Sequence, residues 1–289
     1  VGRSTDNEPF LVPRDKPGLV YLLRGGSGDL QAELASAFNA IHGKVPSASA
    51  FLDAMLVLSG EAQQAKPERV HLRVAKHGQS IVFDLGDDSG RFVITDKDGW
   101  RVEHGSPVLF RRTELSGAAV EPIRGGNLDL LRDRLNVTDD SWPLLIGYLV
   151  STLFPDFEHP VALLGGQQGS GKSTAARMLV SLVDPSPAPL LSPPSSSEQW
   201  SVCVQSTWVI VIDNVSRIQE WWSDAMCRAT SGDGWVRRKL YTDGDLAVSS
   251  FRRAIILTSI DPGVMRGDLG DRLVILDLVP IGTAERRSQ

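Results

Sequence analysis

The stretch Gly-Gln-Gln-Gly-Ser-Gly-Lys-Ser at residues 166–173 constrains this chain more than any other feature. It fits G-x-x-x-x-G-K-[ST] at every fixed position. Gly166, Gly169 and Gly171 let backbone N–H groups turn inward around an anion, with Gln167, Gln168 and Ser170 completing the loop. Lys172 brings a positive charge to the phosphates, and the Ser173 hydroxyl is a ligand for Mg2+. Val161-Ala162-Leu163-Leu164 before the loop reads as a strand. Residues 172–183 after it read as a helix, with Thr174 in the first turn and the positive end facing the loop. Strand, loop and helix in this order favour a phosphate cradle over a chance glycine-rich turn. The expected ligands are ATP and Mg2+.

Such a cradle needs a second carboxylate on a neighbouring strand. Trp208-Val209-Ile210-Val211-Ile212-Asp213 supplies one, with Asp213 emerging at the C-terminal end, where open α/β sheets bind ligands. A helix-capping aspartate is the plainer alternative. Asn214 follows, where many NTP-hydrolysing machines carry a second acid. An amide orients a water but accepts no proton, so slow hydrolysis is expected unless another carboxylate such as Glu220 contributes.

The rest of the chain divides in two. Residues 1–26 carry Pro9, Pro13, Pro17 and Gly25-Gly26 and read as an irregular leader. Leu30, Leu34, Phe38 and Ile41 recur at helical spacing, and a second helix follows Pro46 with Ser47 or Ser49 as its cap. The period then changes to two. Val70 to Val74, Ile81 to Leu85, Arg91 to Thr95, Trp100 to Glu103 and Val108 to Arg111 read as short strands of one small antiparallel sheet. Pro122, Gly125 and Gly126 mark a boundary, giving a smaller N-terminal α+β domain over residues 1–125 and a second domain over 126–289. In the second, residues 142–154 form an apolar helix, and 184–197 are a Pro/Ser-rich surface loop. Apolar strands at 161–164, 208–212, 254–257 and 273–276, alternating with helices, imply an α/β fold around a covered parallel sheet.

With 289 residues and 42% hydrophobic residues, the chain can bury a sizeable core. Its formal charge of -5 argues against coating nucleic acid over the whole surface, but leaves room for a local basic channel. Cys203 and Cys227 lack metal-ligand spacing and read as thiols of a reducing cytoplasm. His71, His77, His104 and His159 show no catalytic or metal pattern either. Trp200, Trp208, Trp221 and Trp222 fall on strands and helix faces, which suits packing better than base stacking. No stretch is long and apolar enough for a membrane span, and no signal-peptide layout is present. The chain starts with Val and reads as a piece of a longer protein.

From Ala229 the sequence runs ATSGDGWVRRKLYTDGDLAVSSFRRAIILTSID. P-loop, Asp-ended strand, Gly-Asp-Gly with a basic hairpin and a further apolar strand, in this order, resemble the superfamily 3 helicases. These are AAA+ P-loop ATPases of phages, viruses and mobile elements. Arg266-Gly-Asp268-Leu269-Gly-Asp271-Arg272 resembles the Asp-Leu-x-Asp-Arg segment of AAA+ ATPases. The resemblance covers roughly residues 127–280 and implies an AAA+-like parallel-sheet domain. It implies that Lys172, Ser173 and Asp213 handle the nucleotide and Mg2+. Arg237, Arg238 and Lys239 would line the channel of a homo-oligomeric ring, such as a hexamer, and grip single-stranded DNA. Arg272, or Arg266, would act as an arginine finger on a neighbour's nucleotide. Asp243-Gly244 is independently a turn signal that supports the hairpin, although a solvated basic turn remains the alternative. For Arg272 the alternative is a local salt bridge with Asp268 or Asp271. Where the family's third strand ends in Asn, this chain has Thr258-Ser259-Ile260-Asp261, which again bears on hydrolysis more than binding.

The expectation is therefore a cytoplasmic ATP-hydrolysing motor acting on DNA. A P-loop kinase with residues 184–197 as a lid, and a nucleotide-dependent assembly switch or defence ATPase with weak hydrolysis, stay open beside it.

Overall fold

The computed structural model describes residues 1–23, 28–232, 234–238, 246–261, 263 and 267–282, of which 28–29, 234–238 and 246–250 are described by backbone alone. The elements run β1 (Gly2–Ser4), β2 (Pro9–Leu11), β3 (Leu19–Leu22), α1 (Gly28–His42), α2 (Ala48–Gln64), β4 (Pro67–Glu68), β5 (Val70–His71), β6 (Val74–His77), β7 (Ser80–Asp84), β8 (Arg91–Asp96), β9 (Gly99–His104) and β10 (Leu109–Arg111). They continue as α3 (Asp129–Arg132), α4 (Ser141–Ser151), β11 (Val161–Gly165), α5 (Lys172–Val183), α6 (Ser197–Ser206), β12 (Val209–Ile212), α7 (Glu220–Ser231), β13 (Gly234–Arg238), β14 (Leu246–Ser250), β15 (Ala254–Ser259), α8 (Gly267–Gly270) and β16 (Leu273–Asp277).

The second half is an α/β unit around a parallel sheet of order β12-β15-β11-β16. Its strands are apolar throughout because both faces are covered. Ala162, Leu164, Val209, Val211, Ile256 and Leu276 point to one face, against Leu145 and Tyr148 of α4 and Ala176, Leu179 and Val180 of α5. Leu163, Ile210, Ile212, Ile255 and Leu257 point to the other, against Trp200 of α6 and Trp222, Ala225 and Met226 of α7. Trp200 and Trp222 meet edge to face at 6.3 Å, and with Trp208 they are packing residues. α6 is an addition to the expected elements. Ser196 caps it by accepting from the Gln199 backbone N–H.

The first half departs from the expected layout in three places. The stretch read as an irregular leader holds β1, β2 and β3, which join a mixed six-stranded sheet of order β4-β1-β2-β3-β10-β5. These strands are three or four residues long, and the sheet's parallel pairs reach across the sequence, as in Arg3 with Pro67 and Phe110 with Leu19. No local period betrays them. Secondly, the antiparallel meander is only β6-β7-β8-β9. The chain leaves it after His104, where the Ser106 N–H donates to Pro17 O and the Phe110 N–H to Gly18 O, so β10 enters the other sheet. Thirdly, the alternating run from Val70 to Val74 is two strands, β5 and β6, in different sheets.

Arg73 lies at that break and is 2% exposed. Its Nε donates to Asp184 Oδ1 at 2.8 Å, Nη1 to Asp84 O at 2.9 Å and Nη2 to Gly117 O at 2.8 Å. Asp184, the C-cap of α5, accepts at Oδ2 from the Trp208 and Val209 N–H groups. Together with Val74, which joins the α5 core cluster, this ties the meander to the parallel sheet.

His159 is 2% exposed, stands edge-on to Trp208 at 5.6 Å, and neither ring nitrogen has a partner among the described residues. Burial, then the charge of Arg252, pushes its pKa down to about 4. Burial, then Arg69 and Arg253, also pushes His71 to about 4. The unfolded chain therefore binds protons that the folded chain refuses between pH about 6.5 and about 4, and stability falls as pH drops through that window. We expect His159 alone to remove on the order of 2 kcal/mol of unfolding free energy between pH 7 and pH 5. Urea titrations at the two pH values read this, and His159→Phe should flatten the dependence. An unchanged pH slope in that variant would refute the assignment.

Candidate nucleotide site

Nucleotide chemistry would gather at the C-terminal edge of the parallel sheet, where β11, β12 and β15 end side by side. β11 delivers the chain into the loop, and α5 begins at Lys172. Gly166, Gly169 and Gly171 have φ of 149°, 84° and 79°, a region closed to most side chains. A Cβ on Gly166 would lie 2.5 Å from Leu278 O and 2.8 Å from Ser170 Oγ. The loop is thus a narrow cradle whose width depends on bare backbone, and that geometry fits a phosphate chain. Gln167, Gln168 and Thr174 are exposed, whereas Ser170 is fully buried with its hydroxyl unpartnered among the described residues. The segment after β16 straps the loop, through the Leu278 N–H to Gly165 O and the Ile281 N–H to Gly169 O.

Lys172 Nζ donates to Gly166 O at 2.7 Å and Gln167 O at 2.9 Å. Partial burial lowers its pKa, and Asp213 opposes that shift. Ser173 Oγ donates to Asp213 Oδ1 at 2.8 Å, and Thr258 Oγ1 donates to the same oxygen at 2.5 Å. Ser173 and Asp213 therefore fit a Mg2+ site, since a hydroxyl and a carboxylate oxygen already converge there beside the cradle. Thr258 in turn accepts from the Asn214 N–H at 2.9 Å. Thr258 thus holds Asp213 and the Asn214 backbone together. Ser259 is engaged elsewhere, donating to Val215 O.

Asn214 has φ 58°, one of two non-glycine residues with positive φ among those described. Asn tolerates this left-handed conformation better than most residues. Its identity has a backbone reason. The side chain is exposed. Glu220 is the exposed first residue of α7 and is not drawn into the Ser173–Asp213–Thr258 chain.

Of the remaining predicted residues, Arg272 lies away from this edge. β13 and β14 pair antiparallel, with Arg237 opposite Ala247 and Arg238 opposite Leu246, and the expected turn at Asp243-Gly244 lies outside the described residues. The side chains of Arg237 and Arg238, and Lys239 and Arg266 entirely, lie outside the described residues. Arg272 precedes β16, and its carbonyl accepts from the Val161 N–H at the opposite end of β11 from the loop. It is about 16 Å along the strand from its own cradle, at roughly 3.3 Å per residue. Its Nε lies 3.5 Å from Asp268 Oδ1, which is the local ion pair weighed above. Sequence reasoning did not single out Asp277, whose Oδ1 would sit 3.5 Å from a Cβ on Gly165.

The model of the actinomycete integrative conjugative element replication proteins matches residues 128–286, more than half of the chain. The chain belongs to that family. No curated protein matches it. Among solved structures, the A form of the apo NrS-1 C-terminal region aligns at TM-score 0.50 and 11% identity, over 94% of this chain and 57% of that one. A JCV helicase structure aligns at TM-score 0.33 and 16% identity, over 48% of this chain and 40% of that one. The chain thus spans about half the length of these solved chains. The NrS-1 likeness extends over both halves and is a likeness of fold. Among the described residues, no helix is long and apolar enough to cross a membrane.

Proposed function

We propose that this replication protein is an ATP-hydrolysing motor that forms a homo-oligomeric ring and acts on DNA. The observation that carries the reading is the convergence of Lys172, Ser173, Asp213 and Thr258 at one sheet edge, beside a cradle that only glycine backbone can form. In this reading the residues from Gly166 through Thr174 hold the triphosphate, and Ser173 and Asp213 hold Mg2+. Asn214 orients the attacking water. Arg237, Arg238 and Lys239 track single-stranded DNA. Arg272 serves a neighbouring subunit, which accords with its position away from its own cradle. Residues 126–289 are the motor domain, and 1–125 are an accessory domain fastened to it through Arg73.

Asn214 and Thr258 also favour a second reading, a nucleotide-dependent assembly switch with slow turnover. Neither side chain accepts a proton from water as a carboxylate does. One experiment separates them: ATP turnover with and without single-stranded DNA, alongside sizing chromatography with a nonhydrolysable ATP analogue. The motor reading expects DNA to raise turnover several-fold and the analogue to promote a ring. Assembly without DNA stimulation favours the switch. A strict monomer with no ATP turnover defeats both.

A further inference from the structure

A second cavity lies at the far end of the parallel sheet from the cradle. Its volume is about 140 Å³. It opens between β5 and β10 of the six-stranded sheet and the residues that lead into β12 and β15. Four arginines line it, Arg69, Arg111, Arg252 and Arg253, together with His71. Only two carboxylates do, Asp6 and Glu8.

The cations are held in place rather than neutralised. Arg111 Nη2 donates to Gln205 O at 2.7 Å, and its contact with Glu8 is a long 3.5 Å. Arg253 donates through Nε to Val204 O at 2.6 Å and through Nη1 to the Arg252 carbonyl. Its guanidinium carbon lies 6.0 Å from the centre of the Trp208 ring and 5.3 Å from that of Phe251. Arg252 donates to Ser231 O and Asp156 O. Carbonyl oxygens fix these groups without cancelling their charge. Arg69 is exposed and donates to no described residue.

The charges act on one another. Burial, then Arg111, with Arg69 adding to it, pushes the Arg253 guanidinium down to about 9, against Asp184 and Asp6. Arg69 and Arg253 help to hold His71 neutral, against Asp156. A cluster that disfavours its own protons favours an added anion. The volume sets the size of that anion. It falls well below the roughly 300 Å³ or more of a drug-sized ligand site. Planar donor forks gathered from several segments suit a tetrahedral oxyanion with several acceptor oxygens.

We propose that this arginine-lined cavity is a binding site for one dianionic phosphoryl group, separate from the nucleotide cradle. The group is carried by free phosphate or by the 5′ end of a short nucleotide chain; both present the same dianion. Trp208 and Phe251 to Arg253, which lead into β12 and β15, line this site, and the two strands run from there toward Asp213 and Thr258.

The test is calorimetric titration of the full chain with inorganic phosphate, in the presence of saturating Mg-ADP and again in Lys172→Ala. We expect binding that survives both conditions and weakens about tenfold or more in Arg69→Gln, the loss of one charged hydrogen bond. Lys97→Gln removes an equal charge at an exposed position outside the cavity's lining and should leave it intact. Arg253→Lys, which keeps the charge but loses the fork, should weaken it too. A 5′-phosphorylated dinucleotide that binds more tightly than phosphate, while its unphosphorylated form does not bind, assigns the dianion to a chain end; phosphate alone binding assigns it to the free ion. Binding abolished by Mg-ADP or by Lys172→Ala, or weakened equally by Lys97→Gln and Arg69→Gln, overturns the proposal.

Discussion

Lys172→Ala should lower ATP turnover by roughly 10² to 10³-fold, the cost of removing one preorganised charge from a developing oxyanion. The reasoning starts from the backbone. Glycines at positive φ leave Gly166 O and Gln167 O facing Lys172 Nζ, and those two bonds hold the ammonium over the cradle. No other cation comes from the loop itself. Backbone N–H groups and the start of α5 can still bind phosphate in the variant, so affinity should fall less than turnover. The fold should persist, since Lys172 is only partly buried and its partners are two carbonyls on a loop that water can reach. Initial rates at saturating ATP, with the melting temperature as a control, decide this. A variant within fivefold of the parent rate would show that the cradle is not where ATP is hydrolysed. The parent rate itself should be slow, because Asn214 and Thr258 offer hydrogen bonds to a water but no carboxylate to take its proton.

The two ends of the chain differed in how openly they wrote their structure. The P-loop half was legible because its signals are local. Val209 to Ile212 is apolar at every position since both its faces are covered, and α5 starts at Lys172 where the motif places a helix. Asp213 was legible for the same reason, as the first polar residue after a buried strand. The first half hid its strands because their partners are far away in sequence. Three residues from Gly2 to Ser4 carry no readable period, and their pairing with Pro67 and Glu68 is a property of the folded sheet. Thr258 was legible as a departure from the family pattern, but its bonds to Asp213 and the Asn214 N–H needed coordinates. Arg73 was least legible. An arginine within an alternating run reads as the solvent side of a strand, and nothing in the sequence shows that the run breaks there and turns it inward.

That buried arginine carries the second large effect. Arg73→Met should cost about 3–5 kcal/mol of unfolding free energy, the range for breaking a buried ion pair from one side. Methionine restores most of the volume, so the loss measures charge and hydrogen bonding rather than a cavity. The variant leaves the Asp184 carboxylate buried without its cation, and strips donors from Asp84 O and Gly117 O. Asp184→Asn should also destabilise, by a different route. Its amide oxygen can still accept from Trp208 N or Val209 N, but its NH2 group brings donors to a place built for acceptors. The double variant should lose less than the sum of the two, because the charge stranded by one change is removed by the other. Urea unfolding of all four proteins closes the cycle. If Arg73→Met stays within 1 kcal/mol of the parent, or the two losses simply add, the pair is not what fastens the meander to the end of α5. If they are strongly coupled, the meander and the parallel-sheet half unfold as partners, and a change at Arg73 reaches the P-loop through the helix that Asp184 caps.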